Sequence, residues 1–390
     1  MARKMKDSGI EWIGEIPEGW ETINPKALFA QRKDRASKGE RQLTSSQQYG
    51  ILYQDEYMEL TGSKVVTVEK DFDILKHVET GDFVISMRSF QGGLEYSTKS
   101  GAISSAYVML VPNLELVYPR FYRWLLKSSV YIDALQRTTN MVRDGQAMRY
   151  SNFAQVRLFT LPLDEQKSRA DFLDLECSSI DKILFKTRSS IEEYKKLKQA
   201  VITQAVTEGT PAMFSSPHSV KLKYLISIVS GAAIRNEQLS DFGEYPVYGG
   251  GEIIGFCSQY NTSEGSLIIG RVGARCGCVT HTTCKSWATD NALIVLPTCN
   301  AKYMYYVIGH CQLNNLNTSN AQPLITSTKI KNVVVPYFSD AMQQQEIADY
   351  LDAKCAKIDG LIAKKEQLVK ELESYKKSLI YEVVTGKREV

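Results

Sequence analysis

The sequence predicts a mixed α+β or α/β fold: two globular domains separated by an antiparallel pair of long coiled-coil helices, built as a pseudo-two-fold tandem repeat. Three observations predict it. From Asp164 to Gly209 the positions Cys177, Ile180, Leu184, Thr187, Ile191, Tyr194, Lys198, Val201 and Ala205 follow one another at alternating spacings of three and four. That is the a/d spacing of a coiled-coil seam. The segment FLDLECSSID at Phe172–Asp181 recurs as YLDAKCAKID at Tyr350–Asp359, an offset of 178 residues. Between and before these helices, short β-like runs alternate with Gly, Pro and Asn turn signals.

Each element follows in order. Residues 1–21 form a short lead-in with Trp12, Ile13, Ile16 and Trp20, expected to pack near the end of the second long helix. The first domain covers residues 1–163, with β runs at Lys64–Val68, Phe83–Ser86 and Tyr107–Val111 and a helix at Pro119–Leu135. Pro119 suits the first helical turn, where its missing N–H costs nothing. The first long helix spans 164–209, and a helix of roughly 44 residues would be about 65 Å long at 1.5 Å per residue; no Pro or Gly interrupts it before Gly209. Residues 210–219 are a Pro- and Ser-containing linker. The second domain covers 220–338, with β runs at Ser266–Ile269 and Leu293–Leu296, a turn at Gly249–Gly251 and a helical stretch at Ala301–Gln312. The second long helix lies within 339–390, and Gly386 ends it.

The repeat fixes the architecture. The offset carries the seam onto Cys355, Ile358, Ile362, Lys365, Val369, Leu372, Lys376, Leu379 and Val383, and the polar breaks coincide: Thr187 with Lys365, Lys198 with Lys376. It also carries Gln166 to Gln344 and Thr207 to Thr385. In the globular parts, Gly81–Arg88 lines up with Gly265–Arg271, Tyr107–Pro112 with Ala292–Pro297, and Gly145–Met148 with Asn320–Pro323. The linker is too short to run back along the first helix. The second domain is therefore expected at its far end, with the second helix returning antiparallel. The apolar seam expected to join the helices is Ile180, Leu184, Ile191, Tyr194 and Val201 with Ile358, Ile362, Val369, Leu372 and Leu379.

Composition narrows the function. The net charge is +3, from 47 Lys and Arg against 44 Asp and Glu, so charge must be read locally. Eight Cys show no disulfide-like framework, and no apolar signal or run of 18 apolar residues occurs; the expectation is a reduced, cytoplasmic protein with no membrane span. A rod carrying two related globules suits reading two separated sites on a DNA duplex. The candidate DNA-binding residues of the first domain are Arg32, Lys33, Arg35, Arg88, Gln91, Arg143, Gln146 and Arg149, and of the second Arg235, Asn236, Arg271, Arg275, Asn320, Gln322 and Lys329. Arg, Asn and Gln pair bidentately with base edges, and Lys adds phosphate contacts. Any single one of these is more often part of a solvated surface than a contact; their clustering on turns at matched places in both repeats favours contact.

The chain resembles the specificity subunits of type I restriction–modification systems. The resemblance is carried by KDSGIEWIGEIPEGWE at the start, LPLDEQ with FLDLECSSID, the turn VYGGGEIIGF and the terminal SLIYEVVTGK. It is specific at the helices and weak within the globular domains, as expected if those differ with the target. It implies that each globule is a target-recognition domain reading one half of a bipartite site in double-stranded DNA. It implies further that the helices set the unread spacer and dock two modification (methyltransferase) subunits, which restriction (endonuclease and motor) subunits join. S-adenosylmethionine, Mg and ATP would serve those partners, and this chain would use no cofactor.

The motif search agrees with a non-catalytic role. There is no [DNS]-P-P-[YFW] methyltransferase motif, since Val335–Pro336–Tyr337 lacks the polar residue and second Pro, and no G-x-x-x-x-G-K-[ST] loop. Cys276, Cys278, His281 and Cys284 could supply zinc ligands, with Cys299 further on. Their spacing is not a common ligand pattern and the first repeat has no equivalent cysteines, so no metal is expected. The competing reading is a structural or adaptor coiled coil whose globules bind protein.

Overall fold

The computed structural model describes residues 3–68, 72–86, 94–138, 149–213, 215–316 and 324–390. The chain divides into two compact units, Met1–Lys186 with Leu368–Val390, and Thr187–Gln367.

Two helices dominate the sequence, Leu163–Glu208 and Ala341–Val384. The first begins after Pro162 with Asp164 and Glu165 in its first turn, where carboxylates face the free N–H groups. The second begins at Asp340, whose side chain accepts from the Met342 N–H at 2.8 Å. Gly209 (φ 88°) and Gly386 (φ 77°) end them in the left-handed conformation.

The first unit is built on a four-stranded antiparallel sheet. Its strands are β1 (Phe29–Arg32), β2 (Phe83–Ser86), β3 (Glu95–Tyr96) and β4 (Tyr107–Pro112), ordered β1-β4-β2-β3. The helix α1 (Pro119–Leu126) follows. Phe29, Phe83, Phe121, Tyr122 and Phe153 pack edge-on into a core that also takes Ile180, Leu184 and Leu379 from the long helices, with Val369 and Leu372 against it. The N-terminal segment closes this core: Trp20 stacks on Phe159 at 4.9 Å between ring centres, and a Cβ on Gly386 would meet Pro17 at 2.5 Å. Only glycine lets the end of the second long helix approach that closely.

The second unit repeats the design. Its sheet contains β5 (Ile226–Ser230), β6 (Leu267–Gly270), β7 (Val279–His281) and β8 (Ala292–Pro297), in the corresponding order β5-β8-β6-β7. The helix α2 (Ala301–His310) follows β8 as α1 follows β4. Pro112 closes β4 opposite Phe29, and Pro297 closes β8 opposite Ile226. The second core takes Ala205, Leu351 and Cys355 from the long helices, with Val201 packed against it. Ile191 and Ile358 are buried in this unit; Tyr194 and Ile362 are half-buried.

Two paired features show why the repeat persists. Gln166 is buried and bonds three backbone groups: it accepts from the Tyr118 N–H at 2.7 Å and donates to the carbonyls of Leu116 and Leu161. Gln344 does the same work in the second unit, accepting from the Asn300 N–H at 3.1 Å and donating to Phe338 O at 2.6 Å. Each glutamine ties the start of a long helix to the segment entering the preceding short helix. The polar seam positions also pair: Lys376 Nζ bonds both oxygens of Asp181 within the first unit, and Lys198 Nζ bonds both oxygens of Asp359 within the second. Asp181 and Asp359 are related by the same offset as the two lysines. Both salt bridges cross between antiparallel helical segments, so these lysines mark register.

Two local expectations change. The helix predicted over Pro119–Leu135 is two helices, Pro119–Leu126 and Ser129–Arg137. Ser128 breaks it: its backbone is extended (ψ 143°) and its hydroxyl donates to Leu125 O. Lys64–Val68 forms no strand; its backbone polar groups go instead to side chains, with Val68 N–H and C=O both bonded to the Gln42 amide.

Candidate nucleic-acid interface

The sheet topology gathers loops at one end of each unit. In the second unit β5 ends at Ser230 opposite Leu293, and β6 ends at Gly270 opposite Ala292. The segments 231–238, 271–278 and 289–291 therefore leave the sheet together. They carry Arg235, Asn236, Arg271 and Arg275. Close backbone packing holds them: a Cβ on Gly231 would lie 2.1 Å from Thr289 O, and one on Gly270 2.2 Å from Gly250 O and 2.4 Å from Arg275 O. The hairpin Tyr245–Gly249/Glu252–Cys257 joins the same cluster through its turn at Gly250 (φ 65°) and Gly251 (φ 105°). Two consecutive positive φ values suit the twist of a two-residue hairpin turn and favour glycine.

The loop 271–278 is fixed by its own backbone. Gly277 N–H donates to Gly270 O, Cys276 N–H to Gly273 O and Cys278 N–H to Arg275 O, at 2.8–3.0 Å. Ile325 N–H and the Cys276 thiol both donate to Arg271 O. The Arg271 guanidinium is half-exposed and has no partner among the described residues. Arg275 is exposed and its Nε is ion-paired with Glu252. Arg235 and Asn236 are exposed on the neighbouring loop.

The first unit places segments 33–42 and 104–106 at the equivalent sheet end, since Arg32 lies opposite Met109 and Ser86 opposite Tyr107. Most of its arginines are braces. Arg32 spends Nε and Nη2 on the buried Asp82 and Nη1 on Asp34, which holds its proton more tightly than usual. Arg35 donates to Ile74 O at 3.0 Å, and Arg41 pairs with Asp55 and lies 3.6 Å over the Tyr53 ring. His77 bonds Glu40 at 2.9 Å and Glu79 at 3.2 Å. Burial works against the His77 proton, but the two carboxylates outweigh it and raise its pKa. Glu79 in turn is lowered to about 2, chiefly by the Ser100 hydroxyl and then by His77. These contacts stiffen the loop and leave Lys33 and Lys38 as its exposed cations without a partner among the described residues.

Two predicted residues lie elsewhere. Arg149 precedes the short helix Tyr150–Phe153, whose Tyr150 hydroxyl donates to Phe29 O at the opposite end of β1. Lys329 sits on Ser327–Lys331, packed on Leu222–Tyr224 before β5, and its Nζ donates to Leu316 O. Arg88, Gln91, Arg143, Gln146, Asn320 and Gln322 lie outside the described residues. Glu252, directly after the Gly249–Gly251 turn, pairs with Arg275, a contact that a pattern of cations and amides in the sequence does not reveal.

Among the described residues no group of three His, Cys, Asp or Glu side chains is placed to hold a metal ion. Cys276 is buried with its thiol bonded to a carbonyl, and burial raises its pKa; Cys278 and Cys284 are exposed.

Comparison with known proteins bears on this geometry. Residues 218–371 match the family model of the type I restriction modification DNA specificity domain. The type I restriction enzyme EcoprrI specificity subunit of Escherichia coli is 29% identical over 110 residues, 28% of this chain and 27% of that protein. The aligned part thus spans about a quarter of that relative's length. A chain from a structure on complex assembly and conformational transition of the type I R-M system matches at a TM-score of 0.73 and 14% identity, over 96% of this chain and 99% of that one. The HsdS subunit from Thermoanaerobacter tengcongensis matches at 0.51 and 14%, over 96% and 98%. At such identities the likeness is one of fold.

Proposed function

We propose, from the match of residues 218–371 to the type I specificity-domain model and the likeness in fold, that this chain is the non-catalytic DNA-reading subunit of a type I restriction–modification complex. Each unit reads one half of a bipartite site in double-stranded DNA, and the long helices set the unread spacer. The observation that carries this reading is the duplicated sheet: the same strand order delivers cation-bearing loops to the same sheet end in both units. The outer faces of the long helices, where Leu175, Phe185 and Tyr375 are exposed, dock two modification subunits. Those partners supply S-adenosylmethionine chemistry, and restriction subunits with ATP and Mg join them in the cytoplasm. A duplicated chain suits two identical partners, because each needs a similar docking surface.

Lengthening the helices tests the ruler. Seven residues inserted between Lys186 and Thr187, and seven between Gln367 and Leu368, keep the seam in phase. Each helix grows by about 10.5 Å at 1.5 Å per residue. The unread gap should then lengthen by about three base pairs at 3.4 Å each, with both half-sites unchanged. Methylation-site mapping of the reconstituted complex reads this directly. An unchanged gap, or altered half-sites, contradicts the ruler.

A further inference from the structure

The ion pair Arg275–Glu252 has a geometry that separates a base contact from a phosphate contact. Arg275 lies on the fixed loop 271–278, and Glu252 opens the second strand of the hairpin whose Gly250–Gly251 turn packs on Gly270. Their side chains are 56% and 53% exposed, so the pair stands at the surface of the loop cluster. The closest contact of the pair is made by Nε, and no partner of the Arg275 guanidinium other than Glu252 occurs among the described residues. An arginine anchored through Nε presents its terminal nitrogens outward as a fixed fork.

We propose that Arg275 reads a guanine in the half-site of the second unit, with Glu252 as the residue that positions it; this rests on the DNA-recognition reading above. Two adjacent N–H donors match the O6 and N7 acceptors of guanine in the major groove. A phosphate would match them too, but it would approach the Glu252 carboxylate, and like charges brought together oppose binding. A base edge carries no such charge. Where the fork meets guanine, the neighbouring Glu252 oxygen suits the N4 amino group of the paired cytosine. Arg271, on the same loop with no carboxylate partner among the described residues, is left for the backbone.

The test uses the complete complex of this chain with its modification partners and a randomised bipartite duplex library. Arg275→Ala should cut the preference for guanine at one position of one half-site by about tenfold or more, leaving the other half-site unchanged. Arg275→Lys, which keeps the charge but not the fork, should lose the same preference. Glu252→Gln should weaken the preference at that position without changing the preferred base. These last two replacements are exposed and similar in size, so they keep the test open if the alanine variant folds poorly. Two results overturn the proposal: unchanged position-by-position preferences in both Arg275 variants, or a uniform loss across all sequences with a shallower salt dependence, the mark of a phosphate contact. A wild-type complex with no sequence preference would instead overturn the DNA-recognition reading itself.

Discussion

Arg169→Ala is expected to destabilise the first unit by about 3 kcal/mol, the lower end of the range for breaking a buried charge pair, because Glu165 retains Arg3. Arg169 is only 1% exposed, although it is an arginine on a long helix. Its Nη1 donates to Val383 O at 2.8 Å and Arg388 O at 2.9 Å, and its Nε and Nη2 bond Glu165. The guanidinium also lies 5.0 Å from the Trp20 ring centre. One side chain thus ties the first long helix to the end of the second and to the N-terminal segment. Its removal leaves Arg388 O without that donor, leaves Val383 O with only the 3.3 Å bond from the Gly386 N–H, and opens a cavity beneath Trp20. Glu165 keeps Arg3 and the Trp20 indole but loses the more deeply buried of its two counter-charges. Burial alone would raise the Glu165 pKa; Arg3, Arg169 and Trp20 hold it instead at about 2. Urea unfolding of the variant should show a lower midpoint at an unchanged slope. A loss below about 1 kcal/mol would mean the buried guanidinium contributes little to closure.

Gly270→Ala is the second large effect. The added methyl would lie within 2.4 Å of two backbone oxygens, Gly250 O and Arg275 O. Neither is the end of a flexible side chain, so the hairpin turn or the loop 271–278 must move. Overpacking of this kind costs typically about 1–3 kcal/mol, and backbone clashes belong at the upper end. Recognition should suffer more than stability, because the same shift displaces Arg275 and Glu252. Thermal unfolding should fall modestly while the preference read by the second unit is lost and the first half-site stays intact. Gly309→Ala is the control: its Cβ would meet only Val279 Cγ1 at 3.7 Å, an ordinary contact. If Gly270→Ala leaves the motif unchanged, the loop cluster is not the reading surface.

What could be read from sequence divides along physical lines. The long helices were legible because a seam is a local pattern repeated many times, and the 178-residue offset tested it twice. Gln166 and Gln344 were marked by the repeat, but their role as backbone ties was not visible, since the groups they bond lie up to 50 residues away. The loop cations show the limit most clearly. Arg32 and Arg41 look identical to free DNA-binding arginines until Asp82 and Asp55 are brought beside them by folding. Sequence counts charges; only the fold shows which are already neutralised. The break at Ser128 was missed because the apolar pattern continues through it, with Tyr131 and Leu135 buried on the same core as Phe121 and Leu125. Glu252 was missed because an acidic residue is a poor DNA ligand in isolation and becomes informative only beside Arg275.

The central claim is that this chain supplies sequence specificity through two separately reading units. Binding of the complex with its modification partners to a randomised duplex library at physiological salt tests it most directly. The account predicts one asymmetric motif of two specified parts separated by an unspecified gap of fixed length. A complex that binds DNA with no sequence preference, or one that selects a single uninterrupted motif, would contradict it.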